Sequence, residues 1–104
     1  MDKDLQIAQE LKSKIILVTK IIDFRIFGSR ARGQAQEYSD LDVFLEVPSL
    51  NEKVHDAIQH TAWEVGLLYL MHISILVYTC DEIENSPLRA SPIIKNIMQE
   101  GVVI

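Results

Sequence analysis

Gly28-Ser29-Arg30-Ala31-Arg32-Gly33 and, six residues further on, Ser39-Asp40-Leu41-Asp42 set the architecture of this chain. The first segment follows Ile22–Phe27, a short run rich in apolar and aromatic residues that predicts a strand, and Gly28 ends it. The second opens a strand over Asp40–Val47. There Leu41, Val43, Leu45 and Val47 take one face, and Asp40, Asp42, Phe44 and Glu46 the other. Pro48 stops that strand. Two strands joined through a glycine-bounded turn form the centre from which the other elements extend.

Upstream, Leu5, Ala8, Leu11, Ile15, Val18 and Ile22 follow three- and four-residue spacing, which predicts a helix from Asp2 to about Lys20. Asp2 and Asp4 suit the positive end of its dipole. Downstream, Asn51 is an N-cap for a helix over Glu52–Tyr69 with the apolar stripe Val54, Ala57, Ile58, Ala62, Val65 and Leu68. A strand over His72–Tyr78 follows, with Ile73, Ile75 and Val77 on one side. Asp81, Glu82 and Glu84 read as an acidic loop. A last helix begins at Ser91-Pro92, with proline in its first position, and ends at Gly101. Val102-Val103-Ile104 are suited to a short terminal strand. This order predicts an α/β (α+β) fold, a small mixed sheet flanked by helices, in a single domain over 1–104.

Composition narrows the function classes. The net charge is −5, and the basic residues are scattered apart from Arg25, Arg30 and Arg32. Binding nucleic acid non-specifically needs clustered Lys and Arg, so a nucleic-acid partner is not expected. Cys80 is the one cysteine, which excludes an internal disulfide and a cysteine-based zinc site and suits a reducing cytoplasm. Met1-Asp2-Lys3-Asp4 lacks the basic-then-apolar order of a leader. The longest apolar run, Val65–Met71, is too short to span a membrane.

The chemistry lies in the opening segments. Gly28 allows a backbone conformation denied to other residues and a close approach to a ligand. Ser29 offers a hydroxyl and an N–H. A short helix opened by Ser29–Arg32 would turn free N–H groups toward an anion. For Gly28-Ser29 alone, an ordinary strand-to-helix turn is the better explanation, because short glycine motifs are weak evidence. Asp40 and Asp42 add a second element. Residues two apart in a strand share a face, about 6.5–7 Å apart, and two carboxylates there repel unless a cation or solvent offsets them. Hard oxygens suit Mg²⁺, which leaves its other positions to water and phosphates. A solvated polar strand face is the competing explanation. Arg30 and Arg32 are open between a phosphate contact and a surface or salt-bridge role.

Gly28-Ser29, ten intervening residues and Asp40-Leu41-Asp42 resemble the signature of the DNA polymerase β-type nucleotidyltransferase superfamily. The run from Phe27 through Val43, together with the chain length and element order, resembles its minimal nucleotidyltransferase (MNT) branch. The resemblance implies the nucleotidyltransferase fold and a role for each matching residue. Gly28 and Ser29, with Arg32, would bind the triphosphate of ATP or another nucleoside triphosphate. Asp40 and Asp42 would be the catalytic pair, holding Mg²⁺ and aligning the α-phosphate for attack by a hydroxyl. The resemblance also implies a helical HEPN-domain protein as partner in a toxin–antitoxin pair, with AMP transferred to that protein.

One departure stands out. Active members of the superfamily usually carry a third carboxylate on a later strand, expected here at His72–Val77, and no Asp or Glu occurs between Glu64 and Asp81. His72 and Ser74 share a strand face that can point into the site. The rival to an adenylyltransferase is therefore a nucleotide-binding module, weak or inactive in catalysis, that neutralises its partner by contact. Transfer to a small molecule or RNA ranks lower, because no acceptor domain accompanies the core. Homo-oligomerisation stays open. His55, His60 and Glu64 read as surface residues, and Trp63 and Tyr69 as core or interface. Cys80 has no neighbouring base that would make it a nucleophile.

Overall fold

The computed structural model describes residues 2–104, so Met1 of the segment examined for a leader lies outside it. The order is α1 (Asp2–Ile15), β1 (Asp23–Phe27), α2 (Gly28–Ala31), β2 (Leu41–Val47), α3 (Glu52–Tyr69), β3 (Ile73–Thr79), α4 (Cys80–Asn85), a 3₁₀ turn (Pro87–Ala90), α5 (Pro92–Glu100) and β4 (Val102–Val103). The sheet runs β3-β2-β1-β4. β1 pairs antiparallel with β2 and β4, while β2 pairs parallel with β3. The fold is thus a small mixed sheet with helices, as the element order predicts. No helix among the described residues is long and apolar enough to cross a membrane.

Both faces of β2 are covered. Leu41, Val43, Leu45 and Val47 pack with Ile7, Ala8, Leu11 and Ile15 of α1 and Ile58, Ala62 and Val65 of α3. On the other face Phe44 meets Ile94 and Ile97 of α5, with Phe27, Leu76, Tyr78 and Ile83 around them. The alternating pattern therefore marks two different cores rather than a buried and a wet face. Asp42 is the one residue of β2 that is not fully buried.

Caps define the helices. The Asn51 side chain accepts from the Val54 N–H at 2.8 Å, and Ser91 accepts from Ile94 at 3.3 Å ahead of Pro92. Two elements depart from the sequence reading. α1 ends at Ile15, and the chain continues through turns in which the Val18 and Thr19 N–H groups both donate to Ile15. The run Ile15-Ile16-Leu17-Val18-Thr19 is rich in β-branched residues, which lose side-chain freedom in a helix. Ile22 is exposed instead of continuing the stripe. The acidic loop is in fact the helix α4, opened by a capping box. Thr79 Oγ1 accepts from the Glu82 N–H, and Glu82 Oε1 accepts from the Thr79 N–H, each at 3.1 Å.

Ile97 is fully buried where α5 closes the second core over Phe44. Ile97→Ala is expected to cost roughly 2–5 kcal/mol. Urea unfolding measures this, and a loss below about 1 kcal/mol would show that α5 contributes little to that core.

Candidate functional site

β1 and β2 bring the turn and the acid pair together. Phe27 stands opposite Asp42 in the antiparallel ladder, so Gly28 leaves β1 beside the Asp42 carboxylate. Gly28 has φ +76°, and a Cβ built there would collide with Asp42 Oδ2. The left-handed backbone favours glycine here, and the close approach means that a side chain would have to push the Asp42 carboxylate aside. The one-turn helix α2 follows, with no side-chain cap on its first N–H groups. The Arg32 N–H donates to Gly28 at 3.1 Å and the Gln34 N–H to Ser29 at 2.9 Å. Gly33, at φ +71°, turns the chain back toward β2.

Arg30 and Arg32 part company. Arg30 turns inward. Its Nε and Nη2 donate to the Ser39 carbonyl at 3.0 and 2.7 Å, Nη2 also reaches the Gln36 and Glu37 carbonyls, and Nη1 lies 3.1 Å from Asp4 Oδ1. The Arg30 and Asp4 side chains are 11% and 8% exposed, so the pair is largely dry. A planar guanidinium spreads five donors over three nitrogens, so it reaches acceptors on two sides that the single nitrogen of an ammonium does not span. The fork ties α1 to the loop that delivers Asp40 into β2, and it leaves no free phosphate contact at Arg30. Arg32 faces out. Nε contacts Gln34 Oε1 at 3.2 Å, and Nη1 lies 3.6 Å from Glu100 Oε2. With Gly28, Phe27, Asn96 and Ile97 it borders a cleft of about 170 Å³ under α5.

Asp40 is the last residue before β2 and is half exposed, with His72 Nδ1 at 3.1 Å from its Oδ2. Asp42, the second residue of β2, stands level with Ser74 in β3. Burial and then the charge of Asp40 push the Asp42 carboxyl above the usual carboxylate range, and Arg32 and His72 pull it back in part. The four groups therefore sense one another at one end of the sheet, and the acid pair carries charge that the chain does not fully offset. That is the chemistry of a site for a hard cation. Among the described residues no third Asp, Glu, His or Cys completes a metal cluster with them.

The other singled-out residues lie elsewhere. Cys80 begins α4 at the far end of β3, where burial and then a hydrogen bond to Glu46 raise its thiol pKa. His60 pairs with Glu64 on the surface of α3, and Trp63 is exposed beside it. Tyr69 packs on the core, and its hydroxyl donates to Glu10 at 3.0 Å. The sequence reading did not anticipate the link from Arg30 to Ser39 and Asp4, the Glu100 contact of Arg32 or the pairing of His72 with Asp40. All three join residues distant in sequence, and no local pattern signals them.

Comparison with known proteins bears on the family and the fold. The family model described as "Nucleotidyltransferase domain" matches residues 5–104. The chain is 37% identical over 93 residues, 78% of its own length and 92% of the relative's, to "Putative protein adenylyltransferase MJ0141" of Methanocaldococcus jannaschii. Its fold resembles a solved structure described as "Crystal structure of the toxin-antitoxin with AMP-PNP", at a TM-score of 0.60 over 90% of this chain and 69% of that one. The identity there is 14%, so the likeness is one of fold.

Arg30→Ala would leave Asp4 and the Ser39 carbonyl without their partner. Urea unfolding is expected to show a loss of roughly 3–5 kcal/mol, with faster proteolysis between residues 34 and 39 and only partial rescue by Arg30→Lys. A loss near zero would remove the clamp. Asp42 titrates in the opposite sense to a stabilising carboxylate. Its folded pKa lies above the unfolded value, so the native state binds that proton more tightly and carries a penalty once it is lost. In metal-free buffer, Asp42→Asn should raise Tm at neutral pH, and the gain should shrink as pH falls through the raised pKa. A variant less stable than the parent at neutral pH would contradict this.

Proposed function

Because this chain belongs to the nucleotidyltransferase domain family, we propose that it transfers AMP from Mg-ATP to a partner protein, as the antitoxin of a pair whose toxin is a HEPN-domain protein. The observation that carries this reading is the contact between Gly28 and Asp42. A glycine turn suited to a phosphate abuts Asp42, one of two carboxylates suited to a cation, in a left-handed backbone that favours glycine.

Each residue then has a task. Gly28 and Ser29 carry the triphosphate with main-chain N–H groups and the hydroxyl, as the open first turn of α2 allows. Arg32 is free to exchange its weak, exposed contact with Glu100 for phosphate oxygens. Asp40 and Asp42 would hold Mg²⁺, which would neutralise phosphate charge as the α-phosphorus is attacked. An acceptor hydroxyl oxygen would bond to that phosphorus, the bond to pyrophosphate would break, and the hydroxyl proton would pass to solvent water. Positioning and charge neutralisation carry most of such a reaction. The acceptor is read as a protein because the relative is described as a protein adenylyltransferase and the structural neighbour as a toxin–antitoxin.

A second reading has its own support. Ser74, not a carboxylate, stands beside Asp42. Superfamily members that use a third carboxylate as general base would have one on this strand, and a chain without it can bind nucleotide and neutralise its partner by contact alone.

One experiment separates the two. The protein is incubated with Mg-ATP and the protein encoded beside it, and intact masses are measured. A gain of one AMP on the partner, abolished by Asp42→Ala, is the expected result. An unmodified partner, still bound and still inhibited, would establish the binding module.

A further inference from the structure

One side of the cleft under α5 has no part in the phosphate or metal sites. Ile93, Asn96, Ile97 and Glu100 recur at three- and four-residue spacing, so they form a single stripe along α5. All four line the cleft, together with Phe27 and Gly28 at the junction of β1 and α2. The stripe is mixed in character. Ile97 is fully buried and Ile93 is 45% exposed, whereas Asn96 and Glu100 are exposed and bring an amide and a carboxylate to the cleft.

Chemistry and size indicate which part of a nucleotide such a cleft takes. Phe27, Ile93 and Ile97 give it apolar walls, and its one carboxylate repels phosphate. Arg32 is the one cation among its lining residues, and it lies 3.6 Å from Glu100. A polyphosphate therefore gains little by entering. The volume of about 170 Å³ also falls short of the roughly 300–1,000 Å³ of a pocket for a whole drug-sized ligand. A single flat heterocycle suits it better. Apolar walls cover the faces of the ring, and Asn96 and Glu100 meet polar atoms on its edge. The cleft is continuous with Gly28, which abuts Asp42 of the acid pair. A nucleotide whose phosphates lie on the Gly28-Ser29 turn can extend its base into the adjoining cleft.

We propose that this cleft is a nucleobase subsite, and that Asn96 and Glu100 select adenine over guanine there. The inference rests on the nucleotide-binding reading given above. The Asn96 amide both donates and accepts, which matches the amino group and ring nitrogen on the edge of adenine. The Glu100 carboxylate only accepts. It takes a hydrogen bond from the exocyclic amino group of adenine and repels the carbonyl oxygen that guanine carries at the same place. Arg32 links the two halves of the ligand. Its contact with Glu100 is weak, both side chains being about half exposed. When Arg32 turns to phosphate oxygens, Glu100 is released to the base, so phosphate and base bind in concert.

Isothermal titration in Mg²⁺ buffer with ATP, GTP and tripolyphosphate tests this, the last being a ligand without a base. ATP is expected to bind about tenfold more tightly than GTP, within the range of one well-placed base contact. Asn96→Ala and Glu100→Gln, both at exposed positions, should keep the parental melting profile. Asn96→Ala should weaken ATP by about tenfold and leave tripolyphosphate affinity unchanged. Glu100→Gln should bring ATP and GTP to within about threefold of each other. Tripolyphosphate should bind that variant at least as tightly as the parent, because Arg32 is no longer tethered. The Asn96 side-chain amide resonance, assigned in ¹⁵N-labelled protein by its loss in Asn96→Ala, should shift with ATP and stay in place with tripolyphosphate. Equal affinity of the parent for ATP and GTP, or a preference unchanged in both variants, overturns the proposal and leaves the nucleotide-binding reading standing. An amide resonance unmoved by bound ATP does the same. Failure of all three ligands to bind removes the nucleotide-binding reading, and this proposal with it.

Discussion

The pairing of Phe27 with Asp42 is the constraint on which the site depends. It brings the end of one strand to the start of the next, so the turn leaving β1 must pass the first carboxylate of β2. A residue tolerant of φ +76° makes that turn, and a Cβ there would have to displace the Asp42 carboxylate. A single steric requirement thus couples a backbone suited to anions to a pair of acids suited to a cation. Slipping β2 by one residue against β1 would turn Asp42 inward and Val43 toward the turn. The deep cores on both faces of β2 prevent that slip, because Phe44 and Val43 belong to different ones.

Precision at the site is supported from outside it. The stretch between α2 and β2 has little regular structure, yet Asp40 must leave it at a defined point. Arg30 supplies the definition by gathering carbonyls of that loop and tying them to Asp4 on α1. An arginine two residues from Gly28 thus acts on the opposite end of the loop. Opposing this order, the acid pair stores repulsion that burial sharpens at Asp42. Stability is given up where charge must remain available, a trade common at functional sites.

Much of this was legible in the sequence because it rests on local rules. The alternation of Leu41–Val47, the cap at Asn51, the Ser91-Pro92 start and the glycine after Phe27 each act within a few residues, and the structure follows them. The helix α4 was equally local, since Thr79 and Glu82 spell a capping box, but its acidic residues suggested a loop. The spacing of Gly28-Ser29 and Asp40-Leu41-Asp42 marked a candidate site, and the structure brings the two segments together. The fates of the two arginines did not follow from it. Arg30 and Arg32 stand two apart in one short motif, and only the placement of Asp4, Ser39 and Glu100 makes one a clamp and the other an outward-facing charge. Interactions across such sequence distances leave no periodicity to read.

The serine beside Asp42 has an electrostatic consequence on the proposed reading. A third carboxylate at position 74 would add a like charge to a group that already ionises with difficulty. With Ser74 there, the repulsion is smaller, but so is the ligand charge available to a cation. Arg32 and His72 offset part of what remains. Two carboxylates so balanced make a weak site for a divalent ion by themselves, since Mg²⁺ sheds its water reluctantly. Triphosphate oxygens would add the missing negative charge. Cation and nucleotide would then bind as a unit, each raising the affinity of the other by the same factor. A site of this kind holds little free metal and fills when nucleotide arrives. That behaviour would suit a nucleotide-dependent hold on a partner as well as transfer, so on this reading the acid count would decide how a nucleotide is bound before it decided whether the nucleotide reacts.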